Sequence, residues 1–249
     1  MLPTPSTSHV DYSSIYEPSE DSYLLLDTLS AEPEAAFLQK HFPFDTPSPF
    51  LLEIGTGSGV VIAFLVANAE HIFGRSDVAG FGVDLNRFAC EATAQTATLA
   101  AVDCTKVGNK PGRFVDSIVG DLASPFRAEV VDILVFNPPY VPSEMLPLNP
   151  AESDAARDVF ERDSHLLSLS TDGGADGMET TDRLLDDLPS MLSSRGIAYV
   201  LLCAQNKPDR VMHRIRNWQG GWMVEVVGSS GKKAGWERLC IIRIWRKAA

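Results

Sequence analysis

The stretch from Phe50 to Ala69 leaves this chain few folds to choose from. Phe50, Leu51, Leu52, Glu53 and Ile54 make a short apolar run that reads as a buried strand. Gly55, Thr56, Gly57, Ser58 and Gly59 follow at once, and residues 60–69 read as a helix. Strand, glycine turn and helix in that order form the nucleotide-binding corner of an open parallel sheet, where glycines let the backbone approach a ligand closely. The pattern is an acid followed by glycines at alternate positions, not the GxGxxG dinucleotide fingerprint. A carboxylate at Glu53 would repel a pyrophosphate and suits a cationic amino group.

The alternation continues along the chain. Residues 80–84 read as a second strand ending in Asp84, which lies where a ribose-binding carboxylate belongs in such folds. A helix over 86–101, rich in Ala and Thr, leads to a polar loop at 103–113 and a third strand at 114–119, closed by Gly120, Asp121 and Leu122. Asp121 is thus a third acid at a strand end, placed to meet an adenine amine. Residues 131–136 form a fourth apolar strand. Residues 178–194 carry Leu184, Leu185, Leu188, Met191 and Leu192 on one helical face. A strand at 197–203, a short basic helix at 208–218 and two last strands at 222–227 and 239–245 follow. The Gly/Lys segment 228–235 between those two strands reads as a hairpin turn. This order predicts one α/β domain from residue 16 onward, with helices on both faces of a mostly parallel sheet. Residues 1–15 read as a flexible lead, 31–49 (with Pro33, Pro43, Pro47 and Pro49) as a connection, and 141–177 as a long irregular cover beside the site.

The fourth strand ends in Asn137, Pro138, Pro139 and Tyr140, beyond the carboxyl end of the sheet. The Asn137 amide oxygen and the Pro138 carbonyl are two acceptors side by side, and proline donates nothing in return. Such a pair suits a planar NH2 group, with Tyr140 as a flat face to stack on it. The group is an amide or an exocyclic base amine. An ordinary strand followed by a proline turn is the alternative.

Charge and cysteine usage narrow the partners. The chain has 21 Lys and Arg against 33 Asp and Glu, a net charge of −12. A protein that grips phosphates needs the opposite balance, so general nucleic-acid binding is disfavoured. Cys90, Cys104, Cys203 and Cys240 are scattered, with no CxxC pair and no nearby His. That pattern predicts no metal and no disulfide framework, and a reducing, cytoplasmic compartment. No apolar run approaches a membrane span.

With these residues placed, the chain resembles the class I S-adenosylmethionine-dependent methyltransferases, whose seven-stranded, Rossmann-like sheet has an antiparallel last strand. More narrowly, it resembles the HemK-like protein glutamine methyltransferases. Tyr16, Glu17, Pro18, Ser19, Glu20, Asp21 and Ser22, followed by leucines, are similar to the start of the eukaryotic and archaeal branch. The resemblance implies S-adenosylmethionine as cofactor, held by Tyr16, Pro18, Ser22, Glu53, Gly55, Thr56, Gly57, Asp84, Leu85, Asp121, Leu122 and Asn137. It implies an acceptor site at Asn137, Pro138, Pro139, Tyr140 and Val141. The implied acceptor is the glutamine of the Gly-Gly-Gln loop of the eukaryotic termination factor. The implied partner is a small zinc-binding activator protein, expected along the apolar strand 114–119. An adenine-N6 methyltransferase on DNA or RNA is the rival reading, and a catalytically silent scaffold a third. Segments 142–171, 68–79 and 103–113 are longer than the branch leads one to expect.

Overall fold

The computed structural model describes residues 2–148, 158–231 and 238–247. Seven strands form one sheet: β1 (Phe50–Ile54), β2 (Ala79–Asp84), β3 (Arg113–Val119), β4 (Val131–Phe136), β5 (Leu192–Cys203), β6 (Trp222–Ser229) and β7 (Leu239–Arg246). Their order is β3-β2-β1-β4-β5-β7-β6. Neighbours from β3 to β5 are parallel, and β7 runs antiparallel to both β5 and β6. The expected mostly parallel sheet with an antiparallel last strand is therefore present. Strand order reverses between β1 and β4, and an open sheet has its crevice at that switch point.

Side-chain alternation along the strands feeds two cores. Leu51, Ile133, Val135, Ile197, Tyr199 and Leu201 face α1 (Glu20–Ser30), α2 (Glu32–His41), α3 (Val60–Ala67) and α4 (Ala69–Phe73). Leu52, Ile54, Leu134, Phe136, Ala198 and Val200 face α7 (Glu179–Met191) and α8 (Pro208–Arg216). Between them in sequence lie α5 (Arg87–Lys106), which packs Ala97 and Ala100 on Ala63 of α3, and α6 (Val159–Thr171).

Several expected boundaries move. Residues 31–49 are not all connection, because 32–41 form α2. Pro33 sits in the first turn of that helix, where a missing N–H breaks no helical bond. Glu34 of α2 is buried and paired with Arg243 of β7 at 2.8 Å, and it also accepts from the Tyr199 hydroxyl. The Arg243 guanidinium lies 3.5 Å from the centre of the Phe37 ring. Residues 141–177 are not irregular throughout. Asp158 caps α6 by accepting from the Glu161 N–H at 2.8 Å, and Leu166 buries its face. Helix α5 runs to Lys106, shortening the loop expected at 103–113, and α7 gives way to β5 already at Leu192. Part of the turn expected at 228–235 lies outside the described residues. Val10 and Ile15, within the lead expected to be flexible, are buried against Ala92 of α5.

Candidate active site

A cavity opens at the carboxyl ends of β1, β2, β3 and β4. The glycine turn, Asp84 to Asn86, Gly120 to Leu122, and Asn137 line it. The turn owes its shape to a few contacts. Gly57, at φ +52°, donates its N–H to Asp84 Oδ2 at 2.9 Å, and the Asn86 N–H occupies Asp84 Oδ1 at 2.8 Å. A Cβ on Gly57 would meet nothing within 4 Å, so its backbone stands open to the cavity. Gly59, at φ +77°, is the opposite case. A Cβ there would come within 2.5 Å of the Thr93 Cα. That close approach lets Thr93 reach Thr56 Oγ1 at 2.9 Å and Thr96 reach the Ser58 carbonyl at 2.7 Å. Helix α5 thereby holds the turn from behind.

Burial acts on two of the acids at the strand ends, Glu53 and Asp84. Glu53 is buried and accepts the Ile62 N–H of α3 at 2.9 Å. Burial pushes its carboxyl well above the ordinary range despite that hydrogen bond, and the nearby Asp84 pushes the same way. Burial also raises Asp84, against the N–H groups of Gly57, Asn86 and Leu85. Among the described residues no cation offsets either group. Asp121 differs. It is half-exposed and paired with Arg183 of α7 at 2.6 Å. Leu122 beside it has φ +51°, a conformation that disfavours a leucine, and its side chain is nevertheless buried.

At the other end of the cavity, Asn137 Nδ2 donates to Asp21 Oδ2 at 3.1 Å. Its Oδ1 is buried with no hydrogen-bond partner among the described residues. The turn after it is clamped through its backbone. Asn206, buried at the end of β5, donates from Nδ2 to the carbonyls of Tyr140 (3.1 Å), Asp176 (3.0 Å) and Gly177 (3.2 Å). The Val141 N–H donates to the Thr171 carbonyl at 3.0 Å, and the Gly173 N–H to the Val141 carbonyl at 2.8 Å. A Cβ on Gly177 would lie 2.0 Å from the Tyr140 oxygen, so only glycine fits there.

Of the residues singled out in the sequence, the cavity wall brings together Tyr16, Ser22, Glu53, Gly55, Thr56, Gly57, Asp84, Leu85, Asp121, Leu122, Asn137 and Pro139. Pro18, Pro138, Tyr140 and Val141 are not among its lining residues. Pro138 is buried, and Tyr140 packs half-buried against the core on the α1 side of the sheet. The wall also contains Asp21, Asn86, Leu166, Leu169, Asp172 and Arg183, which the sequence did not single out as ligand-facing. Asp21 had an adequate explanation as a dipole-matching acid in the first turn of α1. Asn86 directly follows Asp84 and Leu85; Leu166, Leu169 and Asp172 fall in the segment 141–177 expected as a cover beside the site; and Arg183 comes from α7.

Two buried carboxylates without a cation, an open glycine backbone and an unmatched amide oxygen make a site for a positively charged, hydrogen-bonding ligand. On this sheet topology, that combination is the cofactor corner of a class I methyltransferase. No family profile matches the chain. It is 33% identical over 249 residues to the eRF1 methyltransferase catalytic subunit mtq2 of Schizosaccharomyces pombe, covering 99% of this chain and 96% of that protein. It is 32% identical to methyltransferase HEMK2 of Homo sapiens, over 96% of this chain and 95% of that one. Among solved structures, the hMettl16 catalytic domain in complex with a MAT2A 3′UTR hairpin superimposes with a TM-score of 0.53 at 12% identity. That superposition spans 96% of this chain and 75% of that one and speaks for the fold alone. The chain belongs to the HemK-like class I methyltransferases. It is a methyltransferase, and its cofactor is S-adenosylmethionine. Among the described residues no group of His, Cys, Asp and Glu is placed to hold a metal, and no helix is long and apolar enough to cross a membrane.

Proposed function

We propose that this enzyme methylates the side-chain amide nitrogen of the glutamine in the Gly-Gly-Gln loop of the eukaryotic class 1 translation termination factor, in the cytoplasm. One observation carries the reading: Asn137 lines the cavity, and its Oδ1 is a buried acceptor with no partner among the described residues, next in sequence to a proline that offers only a carbonyl. The name of the fission-yeast relative, an eRF1 methyltransferase subunit, supports the choice of acceptor.

The chain's own residues divide the work. Glu53 would neutralise the cofactor's ammonium, Asp84 would take the ribose hydroxyls, and Asp121 would accept from the adenine amine. Tyr16 and Ser22 would close the near side, and Gly55 to Gly57, Leu85 and Leu122 would shape the floor. When bound, S-adenosylmethionine would supply an electrophilic sulfonium methyl, the electron pair of the broken C–S bond staying on the thioether sulfur. Asn137 Oδ1 and the Pro138 carbonyl accept the two amide hydrogens of the glutamine. They thereby favour electron density on its nitrogen and aim the lone pair at the methyl. Tyr140 and Val141 shape the acceptor rim. The new N–C bond leaves a strongly acidic amide N–H, whose proton passes to water, so no strong base is needed. Most of the acceleration comes from alignment.

The test is transfer of labelled methyl to the termination factor and to its Gly-Gly-Gln→Gly-Gly-Ala variant. Label on the first alone is expected, with Asn137→Ala lowering turnover about a hundredfold. Label on adenine-containing nucleic acid in its place would sink the choice of acceptor.

The reading includes a partner. Strand β3 lies at the sheet edge, and Val115 and Val119 on it are 45% and 60% exposed. Leu99 and Val102 of α5, the helix that precedes β3 in the chain, and Val107 at its end are exposed as well. An apolar edge of this kind is an aggregation hazard unless covered. The loop after α5 leaves these residues open, which favours a separate cover, the small zinc-binding activator protein, as the second subunit of a heterodimer. A chain that is soluble, monomeric and fully active alone would remove the activator from the scheme.

A further inference from the structure

An amide side chain has two nearly equivalent orientations, and which one an asparagine adopts decides whether it offers an acceptor or a donor. For Asn137 this choice is fixed from outside the acceptor turn. Asp21 is 3% exposed, at the first turn of α1. Its Oδ1 is occupied by the Ser22 N–H at 2.6 Å and approached by the Ser22 hydroxyl at 3.2 Å. Its Oδ2 accepts from Asn137 Nδ2 at 3.1 Å. An ionised carboxylate only accepts, so the reversed amide would set two acceptor oxygens against each other in a buried place. The nitrogen of Asn137 must therefore face Asp21, which leaves its buried oxygen, with no partner among the described residues, as the amide's free acceptor in a residue that lines the cavity.

We propose that Asp21 is a positioning residue that locks the Asn137 amide with its oxygen toward the acceptor, and so makes the site select an NH2 group over the carboxylate of the same shape. The inference rests on the acceptor reading given above and adds the source of its selectivity. Asp21 does not touch the reacting atoms. Without it, Asn137 is free to turn and present its NH2, which suits a glutamate as well as the native orientation suits a glutamine.

The test compares Asp21→Asn with the wild-type protein, co-expressed with the activator if that is required. Calorimetry with S-adenosylmethionine checks that each variant is folded and loads cofactor. Turnover on a Gly-Gly-Gln acceptor is expected to fall about tenfold or more in Asp21→Asn, as for loss of a charge-assisted hydrogen bond, with cofactor affinity held within about twofold. The acceptor with Gly-Gly-Glu is the diagnostic probe. It should inhibit the variant several times more strongly, relative to KM for the Gln acceptor, than it inhibits wild type. A merely structural role for Asp21 would lower turnover without moving that ratio. Equal turnover in variant and wild type, or reduced turnover with unchanged Gln-to-Glu discrimination, would overturn the proposal. Asp21→Ala serves as the second variant. Loss of cofactor binding in both substitutions would mean that Asp21 supports the cofactor site, which also overturns it. The orientation is read without turnover in protein labelled with 15N at asparagine. The Asn137 side-chain signal, assigned by its absence in Asn137→Ala, should show one slowly exchanging proton that Asp21→Asn loses. If wild type leaves the Gln acceptor unmodified, the acceptor reading falls by itself, and this amide signal decides the role of Asp21.

Discussion

The two ends of the cavity are held together in different ways. At the glycine turn the contacts are short-range: Glu53 to Ile62 spans 9 residues, Asp84 to Gly57 spans 27, and Thr93 to Thr56 spans 37. At the acceptor end they are long-range, with Asn206 reaching Tyr140 across 66 residues and Asp21 reaching Asn137 across 116. The first end is a self-contained strand–turn–helix unit with a second strand behind it. The second is assembled from α1, the turn after β4, the glycine segment before α7, and the end of β5. Distorting the backbone frame of the first should therefore cost cofactor binding and stability together, whereas damage to the second should cost turnover with the cofactor still bound.

The sharpest way to break this comparison is a pair of glycine substitutions. Gly59→Ala drives a Cβ into the Thr93 backbone at a left-handed φ and is expected to cost about 3 kcal/mol or more, abolishing cofactor binding. Gly177→Ala meets the Tyr140 carbonyl and is expected to remove turnover while the protein still binds S-adenosylmethionine. Thermal melts and calorimetry on both variants check this. Loss of cofactor binding in the second would mean that the two ends are one mechanical unit.

A smaller effect is expected at Asn206. Asn206→Asp keeps the acceptor for the Cys203 N–H but replaces the donor that serves three carbonyls with an oxygen. Turnover should drop about tenfold, mostly in kcat, as for a lost buried hydrogen-bonding group. Steady-state kinetics on the acceptor and cofactor titration separate the two ends again.

The smallest and most informative effect concerns Glu53. Its folded-state pKa is raised by burial, so its protonated form is favoured in the native protein. Its contribution to stability is fully present below the ordinary glutamate pKa and is lost as pH rises toward the raised value. Glu53→Gln should therefore raise the melting temperature of the cofactor-free protein by a few degrees at neutral pH. The same change should weaken cofactor binding about tenfold, because the charge that meets the ammonium is gone. In wild type, cofactor affinity should decline on acidification, with proton release on binding, measured by calorimetry in buffers of different ionisation enthalpy. An unchanged melting temperature together with unchanged affinity would place Glu53 outside the cofactor's reach.

The same contrast in contact range explains what was legible in the sequence. The sheet and its antiparallel last strand follow from local apolar runs and their spacing. Glu53, Gly57, Asp84 and Asp121 were readable because each stands at the end of such a run. Asn137 was readable because two prolines mark the turn. Arg183 was not, because its position beside the cavity depends on how α7 packs; Leu166 and Asp172 lie in the segment expected as a cover beside the site, but which of its residues reach the wall depends on the packing of α6. The role of Asp21 was hidden for another reason. A first-turn acid is already accounted for by the helix dipole, and only the approach of Asn137 gives it a second task. Helix α2 was hidden by its prolines, of which only Pro33 lies within it, at a position that tolerates proline.

The strand order has a consequence for the history of each molecule as it is made. β6 pairs with β7 and with no other strand, while β7 also fills the place beside β5. A chain emerging from its N-terminus can lay down β1 through β5 as neighbours, but β6 arrives with no strand to zip onto. It must wait, held only by side-chain contacts, until β7 threads between it and β5. The sheet thus closes inward at its far side, and its last hydrogen bonds form around the strand that was synthesised last.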